Sequence, residues 1–127
     1  MPLLNTKNKI ALASLCYKGI HALRALAGKS DITFVKRKKI NWHLELNEGI
    51  DFSIYLLGSF EPGTINLYSK LLQNKPNAVV FDIGANIGSH TLPLAKIISP
   101  GKGIVYAFEP TKWAFEKLQR NINAMRI

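Results

Sequence analysis

Asp82 stands two residues before Gly84, four before Asn86 and six before Gly88, within the stretch VVFDIGANIGSHTLPLAK. Glu109 follows Gly88 by 21 residues, at the end of a second apolar run, IVYAF. Glycines so placed let a chain turn tightly from strand to helix and let a ligand approach the backbone without a Cβ in the way. Turns of this kind usually hold a nucleotide, and the two carboxylates bear on which one. A phosphate-binding P-loop needs Lys-Ser/Thr after its last glycine, whereas Gly88 is followed by Ser89-His90. GKG at 101–103 is only a turn. A dinucleotide turn wants G-x-G-x-x-G, with pyrophosphate at the helix N-terminus. The chain offers G-A-N-I-G instead, and the charge of Asp82 would oppose that pyrophosphate. A cationic nucleoside without phosphate reverses the sign of the interaction.

S-adenosylmethionine (AdoMet) meets that description, carrying an ammonium and a sulfonium and no phosphate. A carboxylate at the end of the second strand, such as Glu109, can accept hydrogen bonds from both ribose hydroxyls. Taken singly, Asp82 reads as a cap on the following turn and Glu109 as a surface acid. Together, at the ends of adjacent predicted strands beside a glycine turn, they favour the cofactor reading.

The elements that must position these residues are set by periodicity. Ala78–Phe81 and Ile104–Phe108 are short apolar strands, each followed by a helical pattern, over about 89–98 and 111–124. Phe115, Leu118, Ile122 and Met125 give the second helix a 3-4-3 stripe. Unalternated strands followed by helices predict a parallel sheet covered on both faces. This is the first βαβα of a doubly wound α/β fold. Upstream, Ile65, Tyr68, Leu71 and Leu72 mark a short amphipathic helix after the GSFEPGT break. Ile40, Trp42, Leu44 and Leu46 alternate with polar residues, then NEG at 47–49 turns the chain, then Ile50, Phe52 and Ile54 alternate again. That pattern predicts a β-hairpin. TFVKR adds a third strand, with the KRKK run (36–39) at a solvated tip, and His43 falls on the polar side of its strand as a surface residue. From Lys9 to Ala27, Leu12, Leu15, Cys16, Ile20, Leu23 and Leu26 recur at helical spacing, and Gly28 supplies a stop.

The 127 residues support one domain, and the single cysteine, Cys16, excludes an internal disulfide and any multi-thiolate metal site. No metal is expected. The formal charge of +9 is uneven: residues 1–44 carry nine Lys/Arg against Asp31, while the rest is nearly balanced. For the basic helix the favoured reading is packing on the domain. The alternative is peripheral contact of residues 9–29 with an anionic membrane surface. No run reaches the ~20 apolar residues of a membrane-spanning helix. Lys18, His21 and Arg24 between IALASLCY and Ala25–Ala27 argue against a secretory signal, so a cytoplasmic placement is expected, with a membrane-peripheral one as the alternative. Nucleic-acid binding would need further basic and aromatic residues on one face and is not expected.

VVFDIGANIGSHTLPLA followed by VYAFEPT, with GIDFSIYLLGSFEPGT upstream, resembles AdoMet-dependent methyltransferases of the FkbM type, over roughly residues 40–127. The resemblance implies that Asp82, Gly84, Ala85, Asn86 and Gly88 form the cofactor motif D-x-G-x-G-x-G, with Asn86 in place of its middle glycine. It further implies that Glu109 binds ribose, that Pro110 and Thr111 flank adenine, and that Glu61 approaches the methionine end. His90 and Thr91 are expected to be structural. The implied organisation is a basic amphipathic helix (1–30), a β-hairpin region (31–60) and the N-terminal half of a Rossmann-like methyltransferase domain (61–127). Such a fold has seven strands and the chain provides about two, so a truncated form without turnover of its own is expected. The implied acceptor is a hydroxyl of a saccharide or other small metabolite, and no catalytic residue is assigned. Two other readings stand beside this one: a non-catalytic remnant or cofactor- or membrane-binding module, and an NAD-dependent oxidoreductase fragment, against which Asp82 argues.

Overall fold

The computed structural model describes residues 6–125, so the ends of the 1–30 and 61–127 segments lie outside the described residues. Helix α1 (Thr6–Leu26) stops at Gly28, whose φ of +66° is cheap only for glycine. The helix is fastened to the next segment by Asp31, which accepts a hydrogen bond from Tyr17 Oη (3.1 Å) and pairs with His21 Nδ1 (2.9 Å). Cys16, Tyr17 and Ile20 pack on the core, and Tyr17 meets Phe52 edge-on. Leu12, Leu15, Leu23 and Leu26 of the predicted apolar stripe remain exposed. No helix among the described residues is long and apolar enough to cross a membrane.

Strands β1 (Ile32–Arg37) and β2 (Ile40–Glu45) form an antiparallel hairpin in the register Ile32↔Glu45 to Arg37↔Ile40. This hairpin bears out the TFVKR strand and the KRKK tip, and corrects the pairing expected across NEG. Its turn is Lys38-Lys39, with φ of +47° and +62°, the two-residue geometry that matches strand twist. The segment expected to be its second strand is helix α2 (Gly49–Leu57), ended by Gly58 at φ +84°. A short segment with Ile50, Phe52 and Ile54 fits either period, and Asp51 favours the helix. From a helical first turn its carboxylate accepts the N–H of Glu45 at 2.7 Å, deep in the interior. His43 is another correction. It is 8% exposed, its ring 4.6 Å from that of Phe34, because α5 (Lys112–Met125) packs across β2.

Helix α3 (Pro62–Leu72) leads to β3 (Val79–Ile83), then α4 (Thr91–Ile98), β4 (Ile104–Phe108) and α5. β3 and β4 are parallel, in the register Val79↔Ile104 to Ile83↔Phe108, as the two apolar runs predicted. α4 packs on β4, and α3 on α4. The expectation of cover on both faces does not hold within the described residues. Val79, Phe81, Ile83, Ile104, Tyr106 and Phe108 are exposed together on one face, with Phe81 stacked against Tyr106 and Phe108.

The core joins the two halves. Ile40, Trp42, Leu44 and Leu46 of the hairpin region meet Phe52 and Ile54 of α2, Ala85 and Ile87 of the glycine turn, Leu92 of α4 and Leu118 of α5. The buried stripe of α5 is rotated from the predicted one. It holds Ala114, Lys117, Leu118 and Asn121, while Phe115 and Ile122 are partly open to solvent.

Candidate cofactor site

The site lies where the parallel strands end. After Ile83 the chain turns at Gly84 (φ +83°), and the N–H groups of Gly84 and Ala85 both donate to the Phe108 carbonyl, at 2.9 and 3.0 Å. The end of β3 is thereby tied to the end of β4. The two glycines do different jobs. A Cβ on Gly88 would stand 2.4 Å from Leu92 Cδ1 and 2.9 Å from Leu118 Cδ1, so this glycine lets α4 and α5 close on the turn. A Cβ on Gly84 would meet nothing within 4 Å, which leaves its backbone open to a ligand. Asn86, where the resembled motif has glycine, has φ +49°. Asparagine is among the few residues that take this conformation cheaply.

Glu109 fastens this turn. Its Oε2 accepts the N–H of Asn86 at 2.9 Å and its Oε1 that of Thr111 at 2.8 Å. Hydrogen bonds from Thr111 first, then the Asn86 N–H, hold its carboxyl below the usual carboxylate range. Each carboxylate oxygen has two acceptor positions, and the two N–H groups take one on each. Pro110 is exposed beside it.

Asp82 is half-buried, and its Oδ2 accepts from the hydroxyl of Thr91, the first residue of α4. Glu61 caps α3 in a left-handed conformation (φ +46°) and accepts from Thr64 Oγ1 at 3.3 Å. Its Oε2 lies 3.6 Å from His90 Nε2. Tyr68 of α3 registers both acids: burial chiefly, then the charges of Asp82 and Glu61, push its phenol pKa up. Asp82, Glu61, His90 and Thr91 therefore gather on the α3 side of the turn, with Glu109 and Pro110 at the end of β4.

Two buried polar arrangements that support the site were not foreseen. Asn121, fully buried on α5, accepts the N–H of His43 with Oδ1 (2.7 Å) and donates Nδ2 to the carbonyl of Ile87 (2.9 Å). One side chain thus joins the hairpin to the glycine turn. Lys117, also fully buried, donates to Asp51 Oδ2 at 2.7 Å, lies 3.8 Å from Glu45 Oε1, and sits 4.6 Å from the centre of the Trp113 ring. Burial, acting more strongly than these bonds, pushes the Asp51 carboxyl up. Polar residues inside an apolar helical stripe leave no signal in periodicity, which is why both escaped it.

No family model and no curated protein matches the chain. Among solved structures it is similar to TYW2 of M. jannaschii, crystallised in complex with AdoMet, with 29% sequence identity and a TM-score of 0.52. The match covers 75% of this chain and 39% of TYW2, so the chain spans about two fifths of the length of that protein. The chain carries part of a methyltransferase fold. Its α/β order, hairpin followed by parallel βαβα, corresponds to a portion of the Rossmann-like fold of AdoMet-dependent methyltransferases.

Proposed function

We propose that this chain binds AdoMet at the carboxyl ends of β3 and β4 and forms the cofactor-holding half of a methyltransferase resembling the FkbM type. The observation that carries this reading is the open backbone at Gly84, with Asp82 at the end of β3 and the Glu109-clasped turn at the end of β4. The likeness to a protein solved with AdoMet supports it. In this reading Glu109 accepts the ribose hydroxyls on its free acceptor positions, and Pro110 and Thr111 flank the base. Asn86, Ala85 and Gly88 shape the floor. Asp82 and Glu61 attract the cationic methionine end, where a phosphate would be repelled.

When bound, AdoMet supplies a methyl group activated on a sulfonium. The residues here contribute positioning, which is the main protein contribution to an in-line transfer. The acceptor class in this reading, a hydroxyl of a saccharide or other metabolite, rests on the FkbM resemblance. Calorimetry with AdoMet and with adenosine tests the proposal. Saturable AdoMet binding stronger than adenosine binding is expected, and the absence of AdoMet binding would refute it.

A further inference from the structure

The basic run Lys36–Lys39, which the cofactor reading leaves unused, is carried by the hairpin turn to a cavity of about 300 Å³. That is the lower end of the ~300–1,000 Å³ of ordinary small-molecule sites. Its wall is largely apolar, with Ile40, Trp42, Ile65 and Pro93 contributed by β2, α3 and α4. Lys38 and Lys96 also line it, beside Ser59 and Ser89. Both ammonium groups are held there: Lys38 Nζ donates to Ser59 Oγ at 3.1 Å, and Lys96 Nζ to the carbonyl of Lys38 at 2.8 Å. None of Lys36, Lys38, Lys39 and Lys96 forms an ion pair with a carboxylate among the described residues. Burial, and then the charges of Lys39 and Lys36, hold the Lys96 ammonium below its usual pKa, as expected of a cation among cations. Trp42 is 2% exposed, and its buried Nε1–H has no acceptor.

An uncompensated cluster of cations is completed by an anion. An apolar chamber beside it is completed by an apolar body. We propose that this cavity binds a small apolar molecule ending in a carboxylate. The acid rests on Lys38 and Lys96, and the body lies against Ile40, Trp42, Ile65 and Pro93. A nucleic acid would instead call for basic and aromatic residues spread along an open face; here the aromatic ring lies inside.

The test uses the full chain labelled with ¹⁵N and titrated with octanoate, watching the Trp42 indole N–H resonance, assigned by its loss in Trp42→Phe. A saturable shift is expected, with octanol binding about tenfold more weakly or worse. Lys96→Met should lower octanoate affinity about tenfold and leave octanol unchanged. Lys38→Met, read at the same resonance, gives the same answer if the first variant does not fold. No saturable shift at millimolar octanoate overturns the proposal. So does equal binding of octanol and octanoate, or displacement of octanoate by inorganic phosphate or a short DNA duplex at equal concentration.

Discussion

Glu109 accepts the backbone N–H of Asn86 at 2.9 Å, so the acid that ends β4 fixes the glycine turn after β3. Binding and folding are therefore linked at one carboxylate. Glu109→Gln keeps the shape but removes the charge, and one amide oxygen cannot replace two carboxylate oxygens. Hydrogen bonds to a charged acceptor are stronger than those to a neutral one, so AdoMet and adenosine should both bind about tenfold more weakly or worse. The folded-state pKa of Glu109 is depressed, so its contribution to stability is present above the ordinary carboxylate pKa and lost as pH falls through the folded value. Thermal melts between about pH 6 and about pH 3 should show a flatter acid limb for Glu109→Gln than for the parent. Identical limbs would show that the Asn86 and Thr111 bonds do not hold the turn in solution.

Asp82 should behave differently, because in the proposed site it faces the cationic end of the cofactor. Asp82→Asn is expected to weaken AdoMet more than adenosine, whereas Glu109→Gln weakens both alike. Thr91→Val, which frees Asp82 from its hydroxyl partner, should cost about 1 kcal/mol of stability and reduce the preference for AdoMet over adenosine. Calorimetry with both ligands on the three variants separates these effects. Unchanged AdoMet affinity in Asp82→Asn would remove the electrostatic reason for preferring AdoMet to a dinucleotide.

The parallel half of the fold was legible because strand and helix periods alternate cleanly from residue 78 onward and the site residues sit at the seams. The hairpin was legible only in part, as the TFVKR strand and the KRKK tip. Its turn places lysine at two left-handed positions where glycine or asparagine is the usual signal. The residues after Gly49 alternate well enough to pass for a strand, and only the buried destination of the Asp51 carboxylate separates the two readings. Asp82 and Glu109 could be placed from spacing. That Glu109 would spend half its accepting capacity on the turn, or that Asp82 would take the Thr91 hydroxyl, depends on backbone directions that no pattern encodes.

The buried Lys117–Asp51 pair is a test of the packing that carries the site. Removing one partner from a buried pair leaves a charge without compensation, at a cost of about 3–5 kcal/mol. Lys117→Met should lose about that much at neutral pH by urea denaturation. The loss should shrink as pH falls, because Asp51, whose carboxyl is already raised by burial, takes up a proton and needs no cation. Lys117→Met combined with Asp51→Leu should recover part of the stability. A loss below about 1 kcal/mol in the single variant would mean that the pair is solvated.

The exposed leucines of α1, with Lys18 and Arg24 on the same helix, are proposed to rest on anionic lipid. Each cation near such a surface contributes about 1 kcal/mol, screened by salt. Sedimentation with anionic vesicles should exceed that with neutral vesicles at low salt and fall at high salt. Equal pelleting in all conditions would remove the electrostatic basis for membrane contact.

Asn121 joins the N–H of His43 to the carbonyl of Ile87, one residue before Gly88, and does so with no exposure to water. Asn121→Leu fills a similar volume but leaves a buried donor and a buried acceptor without partners, each worth about 1–3 kcal/mol. The stability loss should be accompanied by a local one. Amide exchange should quicken at His43 and through the glycine turn more than in β1. AdoMet affinity should fall although no residue proposed to touch the cofactor has changed. Asn121→Asp separates the two bonds, since its carboxylate can still accept from His43 but cannot donate to Ile87. If Asn121→Asp loosens the turn as much as Asn121→Leu while leaving His43 protected, the Ile87 bond is the one that holds the site. If neither variant alters exchange in the turn, the clamp does not act on the glycine loop.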